Sequence, residues 1–158
     1  MKRYFEENAA YFVTTITKDR NPVFSDEKLC RILLVTVEYY KTLLDYLVLG
    51  YCLMPDHFHI ILRPGKRFNL SFVIKMIKGS FARKVNKLNE THGHLWQRRF
   101  YDELIRNESQ FTNQLNYMHY NPVSAGLVQS ASEYHHSSYA QYYGDSPANA
   151  ILEIDRLE

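Results

Sequence analysis

The apolar run Tyr51-Cys-Leu-Met-Pro-Asp-His-Phe-His-Ile-Ile-Leu62 is broken once, at Pro55-Asp56, and that break constrains the fold more than any other feature of the chain. Proline suits the second position of a type I turn and aspartate tolerates the third, so Met54 to His57 reads as a reversal between two strands, about 46–54 and 57–63. On a strand successive side chains alternate faces, which puts His57 and His59 on one side and Phe58, Ile60 and Leu62 on the other, in a core. At a rise of about 3.3 Å per residue the two imidazoles stand about 6.6 Å apart along the strand, close enough to converge on one divalent cation. The competing reading makes them satisfied polar residues at a sheet edge. Two histidines also form an incomplete site, so a third ligand has to come from elsewhere.

The elements around this hairpin follow from changes of period. Tyr11-Phe-Val-Thr-Thr-Ile-Thr17 is β-branched and aromatic and reads as a strand. From Asp26 apolar residues recur at three and four (Leu29, Ile32, Leu33, Val37, Tyr40, Leu44), predicting a helix to about Leu44 with Ser25 or Asp26 as its cap. Pro64 and Gly65 close the hairpin. A second helix is expected over Leu70–Leu88, with Leu70, Val73, Ile74, Ile77, Phe81, Val85 and Leu88 as its buried stripe. Leu95-Trp-Gln-Arg-Arg-Phe-Tyr-Asp-Glu-Leu-Ile-Arg106 reads as a strand entered through an exposed loop. Asn107-Glu-Ser-Gln110 has the form of a capping box, and the helix it opens, with Phe111, Leu115 and Met118 inside, is expected to end near Asn121 because Pro122 disfavours helical geometry before it. The first six elements run β-α-β-β-α-β, the ferredoxin-like order, so the fold class is α+β with an additional C-terminal helix. Residues 1–143 read as one domain and residues 144–158 as an acidic, loosely held tail.

Charge is distributed unevenly. The net value is +2, but residues 57–106 hold 11 basic and 3 acidic side chains, while residues 107–158 hold 1 and 6. A basic middle third is the footprint of something that holds phosphates, although a merely solvated basic face has the same composition. Arg67, and Lys75, Lys78, Arg83 and Lys87 on the polar side of the second helix, are the candidate phosphate contacts. Arg98 and Arg99 beside Trp96, Phe100 and Tyr101 add stacking surfaces, the combination single-stranded nucleic acid favours. Thr91-His-Gly-His94 is a second His-x-His, but its central glycine and polar flanks fix no common face, and it reads as loop. Cys30 and Cys52 lack metal-ligand spacing and read as small buried hydrophobes of a reducing compartment. With no apolar run of about 18 residues and no apolar segment behind a basic head, neither membrane insertion nor secretion is expected, and the cytoplasm is the expected location.

Tyr117 and Asn121 are four apart on the last helix and share a face. The Asn121 carboxamide suits an ion that takes mixed nitrogen and oxygen donors, which makes it a candidate third ligand. Among 13 tyrosines no single one is marked as a nucleophile by composition, and Tyr120 is the rival of Tyr117.

Taken together, Met54-Pro-Asp-His-Phe-His59, Leu95-Trp-Gln-Arg-Arg-Phe-Tyr101 and Tyr117-Met-His-Tyr-Asn-Pro-Val-Ser-Ala-Gly-Leu127 resemble the single-tyrosine HUH transposases, most closely their REP-associated tyrosine transposase branch. The likeness extends from about Tyr11 to Tyr139. It implies the HUH endonuclease fold, a divalent ion (Mg²⁺ or Mn²⁺) on His57 and His59 completed by Asn121, and Tyr117 as the nucleophile. It also implies single-stranded or hairpin DNA as partner, with the protein acting as a homodimer or a monomer. The chain departs from the pattern at His135-His136, where a Pro-Trp-like pair is expected before Ser137-Ser-Tyr139.

The implied chemistry suits these residue types. A phenol ordinarily ionises near pH 10, so a tyrosine nucleophile needs help at neutral pH, and a cation on the scissile phosphodiester supplies it. Attack would expel a 3′-hydroxyl and leave a 5′-phosphotyrosine link that another 3′-hydroxyl can reverse, without a nucleotide cofactor. A DNA-hairpin-binding protein that no longer cuts is the alternative. A small zinc hydrolase is a third reading, weakened by the lack of a glutamate placed as in His-Glu-x-x-His.

Overall fold

The computed structural model describes residues 8–144 and 150–157. Four strands, β1 (Ala10–Ile16), β2 (Tyr46–Met54), β3 (His57–Pro64) and β4 (Tyr101–Ile105), form one sheet in the order β2-β3-β1-β4, with every neighbouring pair antiparallel. That is the sheet which the β-α-β-β-α-β order predicts.

Helices α1 (Glu27–Leu44) and α2 (Leu70–Asn89) cover one face. Each starts where a side chain can satisfy a free amide: the Asp26 carboxylate accepts from the Lys28 amide at 2.9 Å and the Asn69 carbonyl from the Phe72 amide at 2.9 Å. Their apolar stripes meet Tyr11, Val13, Phe58, Ile60 and Leu62 in the main core. The stripe of α2 stops at Val85. Leu88, expected inside, is exposed, because the last turn runs past the core.

The other face carries α3 (Glu108–Ser124), packed through Leu115 and Met118 onto Phe12, Leu49, Cys52, Met54 and Ile61. Asn107 caps it, accepting from the Gln110 amide at 2.8 Å, while the Gln110 side chain accepts from the Arg106 amide at 2.8 Å. The helix does not end at Asn121. It continues through a buried Pro122 to Ser124, closed by Ala125 N–H to the Asn121 carbonyl and Leu127 N–H to the Pro122 carbonyl. A proline so near the C-terminus removes one intrahelical bond without abolishing the last turn.

The long strand expected across residues 95–106 is shorter, only Tyr101–Ile105. The segment before it wraps the end of the sheet, with the Lys18 amide donating to the Leu95 carbonyl and the Gln97 amide to the Ile16 carbonyl.

The C-terminal residues also depart from expectation. Leu152 is fully buried in the main core, and Asp155 pairs with β2, its amide donating to the Val48 carbonyl at 2.7 Å and its carboxylate accepting from the Val48 amide at 2.9 Å. Residues 150–157 are therefore docked, because Ile151, Leu152 and Ile154 supply an apolar anchor within an acidic stretch. Residues 145–149 and 158 of the expected loose tail lie outside the described residues. Further along β2, Leu53 donates to the His136 carbonyl and Ser138 to the Tyr51 carbonyl, so C-terminal segments cover this edge of the sheet. His135-His136 thus sits where backbone pairing holds the chain, and His136 also meets Glu27 at 2.9 Å. The short helix α4 (Tyr139–Tyr143) follows.

Candidate active site

The Pro55-Asp56 reversal delivers β3 in a register that pairs His57 with Ile16 and His59 with Thr14, all on the α3 face of the sheet. The two imidazole rings lie 4.6 Å apart, centre to centre. Each has its Nδ1 occupied. The Asp56 carboxylate is 2.7 Å from Nδ1 of His57, and the Thr14 hydroxyl is 2.8 Å from Nδ1 of His59. Burial draws the Asp56 carboxyl upward in pKa, but hydrogen bonds from His57 and from Arg20, at 3.1 Å, outweigh it and hold the group below its ordinary value. As a carboxylate it can only accept, so His57 carries a proton on Nδ1 and donates it to Asp56.

His59 obeys the same logic for a different reason. It is 5% exposed, and among the described residues its buried Nε2 has no hydrogen-bond partner. A buried N–H without an acceptor is costly, so the proton belongs on Nδ1, donated to Thr14, leaving an open lone pair at Nε2. Burial, with His57 adjacent, pushes its pKa down to about 3, which keeps the ring neutral. An orphaned, neutral imidazole nitrogen beside a second imidazole fits a divalent cation of the softness that His ligands favour. Among the described residues no three His, Cys, Asp or Glu side chains gather around one point, so a third protein ligand has to be of another type.

Helix α3 provides the remaining candidates. Gly50 lets it approach: a Cβ there would stand 2.7 Å from Leu115 Cδ1 and 2.9 Å from Met118 Cε. Seated this closely, the helix holds the Tyr117 ring 6.0 Å from that of His59 and 6.2 Å from that of Phe12. Tyr117 and Tyr120 are equally exposed, at 58%, but the contacts with His59 and Phe12 are made by Tyr117. Phe111, two turns earlier, lines a cleft with Ala10 and Ile105, so α3 travels in the direction of β1, toward the end where Ile16 pairs with His57. Asn121, half-buried, follows Tyr117 by one turn in that direction.

One functional neighbour escapes a reading by motif. His119 is 3% exposed and meets the Ser138 hydroxyl at 2.7 Å, which also accepts from the Tyr51 amide at 2.9 Å. Burial lowers its pKa to about 4. It fastens α3 to β2 between the two turns that carry Tyr117 and Asn121. The sequence signal is its spacing, four residues after Leu115 on the same stripe of the helix.

The expected DNA contacts divide. Arg67, Lys75, Arg83 and Lys87 are exposed, and they lie on or just before α2, behind the sheet from His57 and His59. Arg98 and Arg99 are exposed where the chain rounds the end of β1, next to the site. Lys78 is not on the free face: its ammonium donates to the Gln97 carbonyl at 2.8 Å, and burial lowers its pKa to about 8. Trp96 is buried at 8% against Phe24 and Phe81, its indole N–H donating to the Lys78 carbonyl at 3.2 Å, so it serves the core rather than a bound base. His92 and His94 are exposed around a left-handed Gly93, as a loop should be. Cys30 and Cys52 are buried and free, and no helix of the described residues is long and apolar enough to cross a membrane.

Known proteins resemble this chain in sequence and in fold. The family described as "Transposase IS200 like" matches residues 6–121. A Haemophilus influenzae protein named as a REP-associated tyrosine transposase is 27% identical over 151 residues, covering 87% of this chain and 84% of its own. An Escherichia coli REP-associated tyrosine transposase is 23% identical over 141 residues, covering 87% and 81%. The solved structure of a REP-associated tyrosine transposase bound to a REP hairpin superposes over 100% of this chain and 98% of its own, with a TM-score of 0.76 and 21% identity, which shows a shared fold.

Proposed function

This chain belongs to the IS200-like transposase family, and from that premise we propose that it is a metal-dependent DNA transposase that cleaves and rejoins single-stranded, hairpin-containing DNA through a 5′-phosphotyrosine link. The observation that carries the reading is the contact of Tyr117 with His59, a buried imidazole whose Nε2 has no partner among the described residues. His57, His59 and Asn121 are the residues that would hold a Mg²⁺ or Mn²⁺ ion, which when bound supplies Lewis-acid polarisation of a phosphodiester.

The chain's own groups then have distinct tasks. The Tyr117 oxygen attacks phosphorus and gives up its proton; the bond from phosphorus to O3′ breaks, and the departing oxygen takes up a proton to become a 3′-hydroxyl. The new ester retains one phosphodiester's worth of bonding, so a second 3′-hydroxyl can attack it and release the tyrosine. Asp56 and Thr14 keep both imidazoles in the tautomer that leaves Nε2 without a proton. His119 holds the helix that presents the nucleophile. Arg98 and Arg99 contact the strand near the site, while the exposed cations of α2 contact more distant phosphates, with binding that weakens as salt rises. The partner is taken to be hairpin DNA because the structural neighbour's own partner is a REP hairpin.

Incubation with hairpin-bearing single-stranded DNA and Mg²⁺ or Mn²⁺ should give a protein–DNA adduct that survives denaturation. Tyr117→Phe should abolish it and Tyr120→Phe should not. Hairpin binding with no adduct or cut strand would make the protein a hairpin-binding module instead, and cleavage that persists in Tyr117→Phe would point to hydrolysis by another nucleophile.

A further inference from the structure

Among the aromatic residues of the stretch entering β4, only one is positioned to meet a ligand. Trp96 is buried and Phe100 half-buried, but Tyr101 is 60% exposed. Its face is fixed by the strand's alternation: Ile105 packs in the α3-side cluster and Glu103 accepts from the Gln114 amide of α3 at 2.8 Å, so Tyr101, two residues before Glu103, stands on the same side. That is the face of His57 and His59.

The register makes the relationship closer. Thr14 pairs with His59 on one side and with Tyr101 on the other, so His59, Thr14 and Tyr101 form one row across β3, β1 and β4. Two strand spacings put Tyr101 about 10 Å from His59, backbone to backbone. β4 is the outer strand, and α3 lies mainly over the β2 side of this face, which leaves the phenol ring open beside the candidate catalytic centre. Arg98 and Arg99 precede it, and the acidic Glu103 follows it, so a phosphate backbone passing the ring is drawn to the arginine side.

We infer that Tyr101 is a stacking platform for an unpaired nucleobase beside the scissile phosphate, so that the row His59, Thr14, Tyr101 positions phosphate and neighbouring base together. This rests on the proposed function. Aromatic stacking is indifferent to base identity, so the contact positions the strand and does not read its sequence.

The test uses Tyr101→Leu and Tyr101→Phe with a single-stranded substrate and a set of copies in which each nucleotide near the cleavage site is made abasic in turn. Tyr101→Leu should weaken binding by about 5-fold to 150-fold, the range that base–aromatic stacking spans, and Tyr101→Phe should retain it. One abasic position should weaken the wild type by a similar factor and add nothing to the loss in Tyr101→Leu. Equal binding by wild type and Tyr101→Leu, or abasic losses that are the same in both, overturns the inference alone. A folded wild type that binds no single-stranded DNA at all overturns the functional reading, and this inference with it.

Discussion

The Thr14 hydroxyl sits 2.8 Å from Nδ1 of His59, across the β1–β3 pair, and among the described residues it is the polar contact that decides which nitrogen of that buried ring stays open. Removing it frees the tautomer without touching a ligand. Thr14→Val should therefore weaken Mn²⁺ binding by about 10-fold to 100-fold, the usual consequence of losing a ligand's outer partner. Titration of the metal-free protein followed by the loss of the aqueous Mn²⁺ resonance reads this directly. Unchanged affinity would mean that the surrounding packing, and not Thr14, orients the ring.

Trp96 gives the opposite kind of prediction. It looks like a DNA contact by sequence neighbourhood, and the structure encloses it between Phe24 and Phe81. Trp96→Ala should cost about 3–5 kcal/mol of stability in urea unfolding. The milder Trp96→Phe, once folded, should bind single-stranded DNA as the wild type does. The chain has a single tryptophan, so its emission offers a second check. DNA should leave that emission unshifted and unquenched.

The contrast shows what was legible. Sheet order, helix caps at Asp26 and Asn107, and the common face of His57 and His59 are consequences of local chemistry and strand period, which a sequence carries openly. The burial of Trp96 and Lys78 is not legible, because it depends on a segment from Leu95 to Gln97 folding back over α2 and the end of β1, a non-local contact with no periodic signature. The average effect of proline would end α3 before Pro122, whereas the final turn of a helix tolerates what its interior would not. Leu152 was hidden by the charge around it.

Gly50 is where strand β2 and helix α3 come closest. The bulge between Val48 and Gly50 directs Leu49 to the α3 side as well, so the helix rests on a narrow seat. Gly50→Ala places a methyl 2.7 Å from Leu115 Cδ1 and 2.9 Å from Met118 Cε, closer than packed carbons stand. Overpacking of this kind costs about 1–3 kcal/mol. Because the displaced helix carries Tyr117, adduct formation should fall by more than the small loss of folded protein explains. A variant with reduced stability and full adduct yield per folded molecule would show that the seat does not set the nucleophile's position.

The docked C-terminal residues should matter to stability. Leu152 is fully buried, and Asp155 exchanges backbone and side-chain hydrogen bonds with Val48. Leu152→Ala should lower the unfolding free energy by about 2–5 kcal/mol, as for other core leucines. Chemical denaturation measures it. A loss near zero would return this segment to the status of a loose tail.

Lys78 provides a test through pH. Burial lowers its pKa from 10.5 to about 8 in the folded protein, while the unfolded chain keeps the ordinary value. Between those limits the unfolded state binds more protons than the folded one, so this group makes stability rise as pH increases from about 8 to 10.5. Below that window the lysine is charged in both states, and its contribution is constant. Lys78→Met removes the titration and leaves every other ionisable group in place, so the difference between the two unfolding free energies isolates it. Relative to Lys78→Met, the wild type should gain stability across that window and not below it. A difference that stays flat from neutral pH upward would mean that the ammonium, held by the Gln97 carbonyl at 2.8 Å, remains as well solvated as in the unfolded chain.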